Sequence, residues 1–150
     1  MDIAKYLRLE SIALDIKCKN KKGIIEKLAD LILKDDKVGN ISKSELLHDI
    51  LKREELGSTG IGEGVALPHI HAEISDITMA FIRSKNKIDF DALDNQPCQI
   101  FFMIVAPVSK NSEYLKLLAT ISRIMKKSAN RKTILNLKTP EQVRDFLGEF

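Results

Sequence analysis

Residues 99–105, "QIFFMIV", are apolar at every position after the leading glutamine. A half-buried strand would alternate, so an unbroken run of this length predicts a strand covered on both faces, at the centre of a sheet. Working outward, Ile77–Ile82, Val65–Leu67 and Ser11–Ile16 read as further strands. "DFDALDNQP" at 89–97 is a turn-rich connection into the central strand. Apolar positions 24, 25, 28, 31 and 32 follow the 3.6-residue period of an amphipathic helix. "SKSE" at 42–45 is a capping box, with Ser42 as cap and Glu45 reaching back; Leu46, Leu47, Ile50 and Leu51 form the buried stripe behind it, and Gly57 is placed to end that helix. A long helix is expected from about Ser112, with Leu115, Leu118, Ile121, Ile124 and Met125 facing inward. Thr139-Pro140 opens a last helix docked by Val143, Phe146 and Leu147. Helices before and after the strands predict an α/β sandwich: a central mixed sheet flanked by helices on both faces, in a single domain spanning 1–150.

Composition narrows the class of function. Hydrophobic residues make up 44% and charged residues 30% of 150 residues, an ordinary globular balance. The run Ile100–Ala106 is far too short to span a bilayer, and "MDIAKYLRLE" lacks a basic-then-apolar signal pattern, so a cytoplasmic protein without membrane insertion is expected. Cys18 and Cys98 lie in unrelated contexts, which excludes a disulfide framework or zinc ribbon. The net charge is only +3, and the basic clusters "KCKNKK" (17–22) and "KKSANRK" (126–132) have no aromatic residues between them. They read as solvated helix ends and turns, and no nucleic-acid partner is expected.

The chemistry concentrates in "GSTGIGEGVALPHIH", residues 57–71. Gly60-x-Gly62-x-Gly64 runs from helix to strand, the reverse of a dinucleotide loop, and no Lys-Ser/Thr follows to make a phosphate-binding loop of the nucleotide type. The glycines free the backbone to turn and to present N–H groups to an anion; Ser58 and Thr59 add hydroxyls. Arg53, one helical turn before Gly57, carries a planar fork suited to phosphate oxygens. His48 belongs to the helix, in a structural or surface role. His69, His71 and Glu73 would share one face of a strand and could hold a metal, though Pro68 and the glycines favour a bent loop. Three readings of His69 remain open on the residues: a packed side chain, a metal ligand, or a nucleophile beside an anion site. A neutral imidazole near pH 7 can attack phosphorus, with a guanidinium offsetting the added charge.

"REELGSTGIGEGVALPH" resembles the active-site signature of the fructose/mannitol-type IIA domain of the bacterial sugar phosphotransferase system. "KIDFDALDNQPCQIFFMIVAP" and "SEYLKLLATISRIM" resemble the two blocks that follow it, so the similarity covers residues 5–150. The resemblance implies a mixed sheet sandwiched by helices and a phosphocarrier whose nucleophile is His69. It implies phosphate contacts from Arg53, Ser58 and Thr59, and no metal or organic cofactor. The phosphate donor implied is a small histidine phosphocarrier protein, ultimately charged from phosphoenolpyruvate; the receiver is a regulatory target protein or a sugar permease domain. Two departures stand out. Where the family has a second histidine at the start of the long helix, this chain has Tyr114, which is expected at the phosphate; after the nucleophile stand Ile70 and His71 instead of a small and a basic residue. "DFDALDNQP" is more similar to the nitrogen-regulatory members than to the sugar-transport members, and no fused carrier or sugar-specific domain is expected after residue 150.

Overall fold

A computed structural model describes residues 1–150. Six strands form one sheet: β1 (Leu7–Ile16), β2 (Gly60–Gly62), β3 (Val65–Ala66), β4 (His69–His71), β5 (Thr78–Ile88) and β6 (Cys98–Ala106). Five helices accompany them: α1 (Lys21–Ile32), α2 (Lys43–Glu55), α3 (Asn111–Lys126), α4 (Ser128–Asn136) and α5 (Pro140–Leu147). The strand order is β1-β5-β6-β3-β2, with β4 also paired to β6. β1 runs parallel to β5, β5 antiparallel to β6, and β3 and β4 parallel to β6, so the sheet is mixed.

The all-apolar β6 lies inside the sheet because both its faces are covered. Phe102 and Ile104 join Met79, Phe81, Leu117, Ile121, Ile134, Val143 and Leu147 in one core, which places α3, α4 and α5 on that face. Phe101, Met103 and Val105 join Ala80, Ile82, Ile24, Leu28, Leu46 and Ile50 in the other, under α1 and α2. This is the expected sandwich. The caps form largely as read: Glu45 donates its backbone N–H to Ser42 Oγ at 3.1 Å, and Gln142 donates to Thr139 Oγ1 at 3.2 Å. Only half of the "SKSE" box closes, since no reciprocal bond reaches the Glu45 carboxylate.

Some expectations need correcting. β1 begins at Leu7 and β5 continues to Ile88, past the apolar stretch, because backbone pairing outlasts the hydrophobic pattern. α4 was not legible: its buried side chain is Ile134, too little to show a period. On α3 Ile121, Ile124 and Met125 face inward as expected, but in the first two turns the buried residues are Tyr114 and Leu117, while Leu115 is 54% exposed and Leu118 half-buried. The shift is by one residue and confined to the start of the helix, where the packing beneath decides which neighbour is covered. The buried Arg83 locks α4 down, donating to the Ile134 and Leu137 carbonyls and to Asp15.

β3 and β4 are one strand interrupted at Leu67-Pro68. Both halves pair with β6, and Pro68, which has no N–H to leave unpaired, accepts from Ile104 N–H at 3.0 Å. The interruption puts His69 and His71 at the sheet edge, between the C-terminal end of α2 and the first turn of α3.

Candidate functional site

Three of the expected site residues meet in one cleft. His69 on β4, Arg53 on the last turn of α2 and Tyr114 on the first turn of α3 line an open depression of about 500 Å³, together with Lys52, Leu56 and Leu115. Local sequence explains each placement. α2 stops at Leu56, where the Leu56 and Gly57 N–H groups fold back onto Arg53 and Glu54 carbonyls. Arg53 donates through one guanidinium nitrogen to the Gly57 carbonyl at 2.8 Å, which leaves the rest of its fork to the cleft.

His69 Nδ1 lies 2.6 Å from the Leu67 carbonyl oxygen. A carbonyl can only accept, so Nδ1 carries the proton and Nε2 keeps its lone pair. Burial lowers the His69 pKa below the ordinary imidazole value; the Leu67 hydrogen bond opposes that shift and the Arg53 charge adds to it. The side chain is therefore a neutral Nδ1–H imidazole near neutrality, with a nucleophilic nitrogen free.

Tyr114 is 4% exposed, and its ring centroid lies 6.0 Å from that of His69 and 4.4 Å from that of His71. Burial pushes the phenol up to about 12, only partly offset by Arg53, so it is a neutral donor. No buried side-chain polar atom lacks a partner, so the Tyr114 hydroxyl, unbonded to protein, meets solvent at the cleft. His71 is exposed, and its Nε2 pairs with Asn111 Oδ1 at 3.0 Å. His48 is exposed on α2, away from this chemistry. His69, His71 and Glu73 do not converge as a ligand set, since no cluster of three or more His, Cys, Asp or Glu side chains is arranged for a metal ion.

Ser58 and Thr59 are placed otherwise than the sequence suggests. Ser58 Oγ donates to the Phe90 carbonyl at 2.6 Å and accepts from Gly60 N–H at 3.0 Å. The buried Thr59 hydroxyl donates to Glu54, and the Thr59 N–H donates to the same carboxylate at 3.1 Å. Neither residue lines the cleft, because both hydroxyls are used to fasten the loop. The glycine run is likewise a hairpin: Glu63 and Gly64, at φ 58° and 81°, turn β2 into β3, and the Glu63 N–H is taken by Asp94 at 2.9 Å.

Two residues beneath the cleft escape a reading by motif. Glu54 is 8% exposed and pairs with Lys21 Nζ at 2.7 Å. Lys21 belongs to the "KCKNKK" cluster read above as solvated; its side chain is only 19% exposed and its ammonium lies 4.6 Å from the centre of the Phe90 ring. The one available signal was Glu54 itself, a carboxylate next to Arg53 in the "RE" pair.

Residues 5–149 match the family described as the phosphoenolpyruvate-dependent sugar phosphotransferase system, EIIA 2. The chain is similar to the fructose-specific EIIA component of Haloferax volcanii, at 34% identity over 99% of this chain and 96% of that protein. It is also similar to the fructose-specific EIIABC component of Bacillus subtilis, at 32% identity over 99% of this chain, of which it spans 23%. Among solved structures, the nitrogen regulatory protein IIA-Ntr of Neisseria meningitidis superimposes with a TM-score of 0.90 at 30% identity, covering 97% of this chain and 98% of that one. No helix is long and apolar enough to cross a membrane. With the mixed sheet, the edge-strand histidine and a match over nearly its whole length, this chain belongs to the EIIA type-2 family of the phosphotransferase system, whose members are phosphotransfer components of both fructose-specific and nitrogen-regulatory kinds.

Proposed function

We propose that this protein, acting as one domain in the cytoplasm, is a phosphocarrier that accepts a phosphoryl group on His69 Nε2 from a small histidine phosphocarrier protein. The observation that carries the reading is the 2.6 Å bond between His69 Nδ1 and the Leu67 carbonyl, which commits the proton to one nitrogen and leaves the other as nucleophile. In the transfer, the Nε2 lone pair forms the new N–P bond as the N–P bond of the donor's phosphohistidine breaks. The donor ring leaves as a neutral imidazole with its own ring proton, and His69 keeps its proton on Nδ1. Arg53 faces the phosphoryl oxygens and Tyr114 donates a neutral hydrogen bond to them, while Ser58 and Thr59 act by holding the loop. Incubation with phosphoenolpyruvate and the upstream carriers is expected to add one acid-labile phosphate, read by intact mass. Stoichiometric labelling that persists in His69→Ala overturns the assignment.

The receiver is a regulatory target, in the manner of the nitrogen-regulatory members. The "DFDALDNQP" block and the 0.90 TM-score to IIA-Ntr support this reading. The 34% identity to a fructose-specific component supports the alternative, a relay to a sugar permease domain. Proteins that co-purify with only one phosphorylation form support the switch; rapid discharge of the phosphoryl group to a fructose-type IIB domain supports the relay.

A further inference from the structure

We propose that Glu54, anchored by Lys21, is a positioning residue that sets the ring orientation and tautomer of His69. The proposal rests on the reading of His69 as phosphoryl acceptor. A continuous chain of contacts carries it. Lys21 Nζ binds Glu54 Oε2 at 2.7 Å. The Glu54 carboxylate accepts the Thr59 N–H at 3.1 Å and the Thr59 hydroxyl besides. The Thr59 carbonyl accepts the Leu67 N–H at 2.9 Å, and the Leu67 carbonyl accepts His69 Nδ1–H at 2.6 Å. The first turn of α1 is thereby tied, through one buried carboxylate, to three segments that follow one another along residues 54–67: the last turn of α2, the start of the glycine hairpin and the β3–β4 interruption.

The coupling is positional. Thr59 donates its N–H to Glu54 and accepts the Leu67 N–H at its carbonyl, and these two groups belong to different peptide units, so no single amide transmits charge along the path. What Glu54 governs is where the Thr59 carbonyl sits. That carbonyl holds Leu67 one step past the Gly60–Ala66 pair of the β2–β3 hairpin, between the Val65–Ala66 and His69–His71 pairings with β6. The Leu67 N–H therefore takes its partner from the β2 side of the sheet. If Thr59 shifts, the Leu67 carbonyl turns, and His69 loses the acceptor that commits its proton to Nδ1. The loss would release Nε2–H tautomer, in which the nucleophilic nitrogen is blocked. Position also explains why Arg53 and Glu54 stand side by side. Adjacent residues on a helix point about 100° apart, so Arg53 lines the cleft while Glu54 turns under it.

The test uses ring-nitrogen NMR of ¹⁵N-histidine protein, with the His69 signals identified by their loss in His69→Ala. In the wild-type protein His69 is expected as the pure Nδ1–H tautomer. Glu54→Gln and Lys21→Met are expected to show a mixture of tautomers and an altered His69 titration midpoint, and to accept phosphate roughly ten- to hundred-fold more slowly. Lys21→Arg, which keeps the charge, is expected to stay near wild type in both. Thr59→Val removes only the hydroxyl and is expected to show the same tautomer change in smaller measure, which keeps the test open should Glu54→Gln fail to fold. Folded Lys21→Met and Thr59→Val proteins with an unmixed Nδ1–H tautomer and a wild-type titration overturn the proposal. Because the tautomer is read without any phosphoryl donor, its result is separate from the labelling of His69 by phosphate.

Discussion

At the scale of the residue, the cleft tunes two rings in a common direction, toward neutrality. Burial depresses the His69 pKa and raises that of Tyr114 to about 12. For His69 the folded value lies below the unfolded one, so its contribution to stability is present above the unfolded pKa, near 6.5, and is lost as pH falls through the folded value. An NMR titration is therefore expected to place the His69 midpoint below 6.5, the ordinary imidazole value. A midpoint at or above the ordinary value would contradict the burial seen here. Burial keeps the Tyr114 phenol neutral between pH 6 and 8, so the hydrogen bond proposed from it to the phosphoryl group would carry no pH step. Tyr114→Phe is expected to slow phosphoryl acceptance by about ten-fold, the worth of one hydrogen bond to a charged group, with the pH profile unchanged in shape. Tyr114→His should introduce a titration step near neutrality. Equal rates in Phe, with no new step in His, would assign Tyr114 to packing alone.

At the scale of the element, the β2–β3 hairpin is packed too closely at Gly60 to admit a side chain without a shift. A Cβ built on Gly60 would stand 2.7 Å from Ala92 Cβ and 2.9 Å from Ala92 Cα, against the loop that leads into β6. This glycine is required for close approach and not for a positive φ. Gly60→Ala is expected to cost about 1–3 kcal/mol in urea unfolding, as overpacking does. Gly60→Ala combined with Ala92→Gly should recover part of that loss, since it removes the nearest contact and leaves Ala92 Cα at 2.9 Å and Ser58 Oγ at 3.2 Å. Additive losses in the pair would mean that the backbone, and not the Ala92 methyl, sets the limit. The same hairpin carries Thr59, so its packing bears on the acceptor as well as on stability.

At the scale of the whole molecule, the sheet separates two cores, and its central strand β6 serves both. Phe102 stacks edge-on with Phe81 at 5.0 Å between centroids on the α3–α4–α5 side, and Phe101 tilts against Phe90 at 5.6 Å on the α1–α2 side. Both are fully buried. Phe101→Ala and Phe102→Ala are each expected to cost about 3–5 kcal/mol by transfer and cavity terms. Because adjacent residues of β6 serve the two cores, each variant should still unfold in one transition when followed by circular dichroism and by near-ultraviolet signals together. Two separated transitions would show that the layers melt independently.

Much of this was written in the order of residues along the chain. The unbroken run 99–105 determined a central strand, and the apolar periods at 24–32 and 46–51 determined two helices, because burial on both faces or on one stripe leaves a mark in composition. The "RE…GSTGIGEGVALPHIH" stretch singled out Arg53 and His69, and the fold brings the two into one cleft. Other features were decided only by the tertiary structure, because they depend on contacts between distant segments. Which residues at the start of α3 face inward was set by the packing beneath them, so Leu117 is buried and Leu115 exposed. The partners of the Ser58 and Thr59 hydroxyls, the Phe90 carbonyl and the Glu54 carboxylate, come from packing that no local pattern announces. Lys21 looked like one more solvated cation in a basic cluster, and the fold drew it against Glu54 and the Phe90 ring. A pattern of side chains reports how much surface is to be buried. Only packing assigns each donor its acceptor.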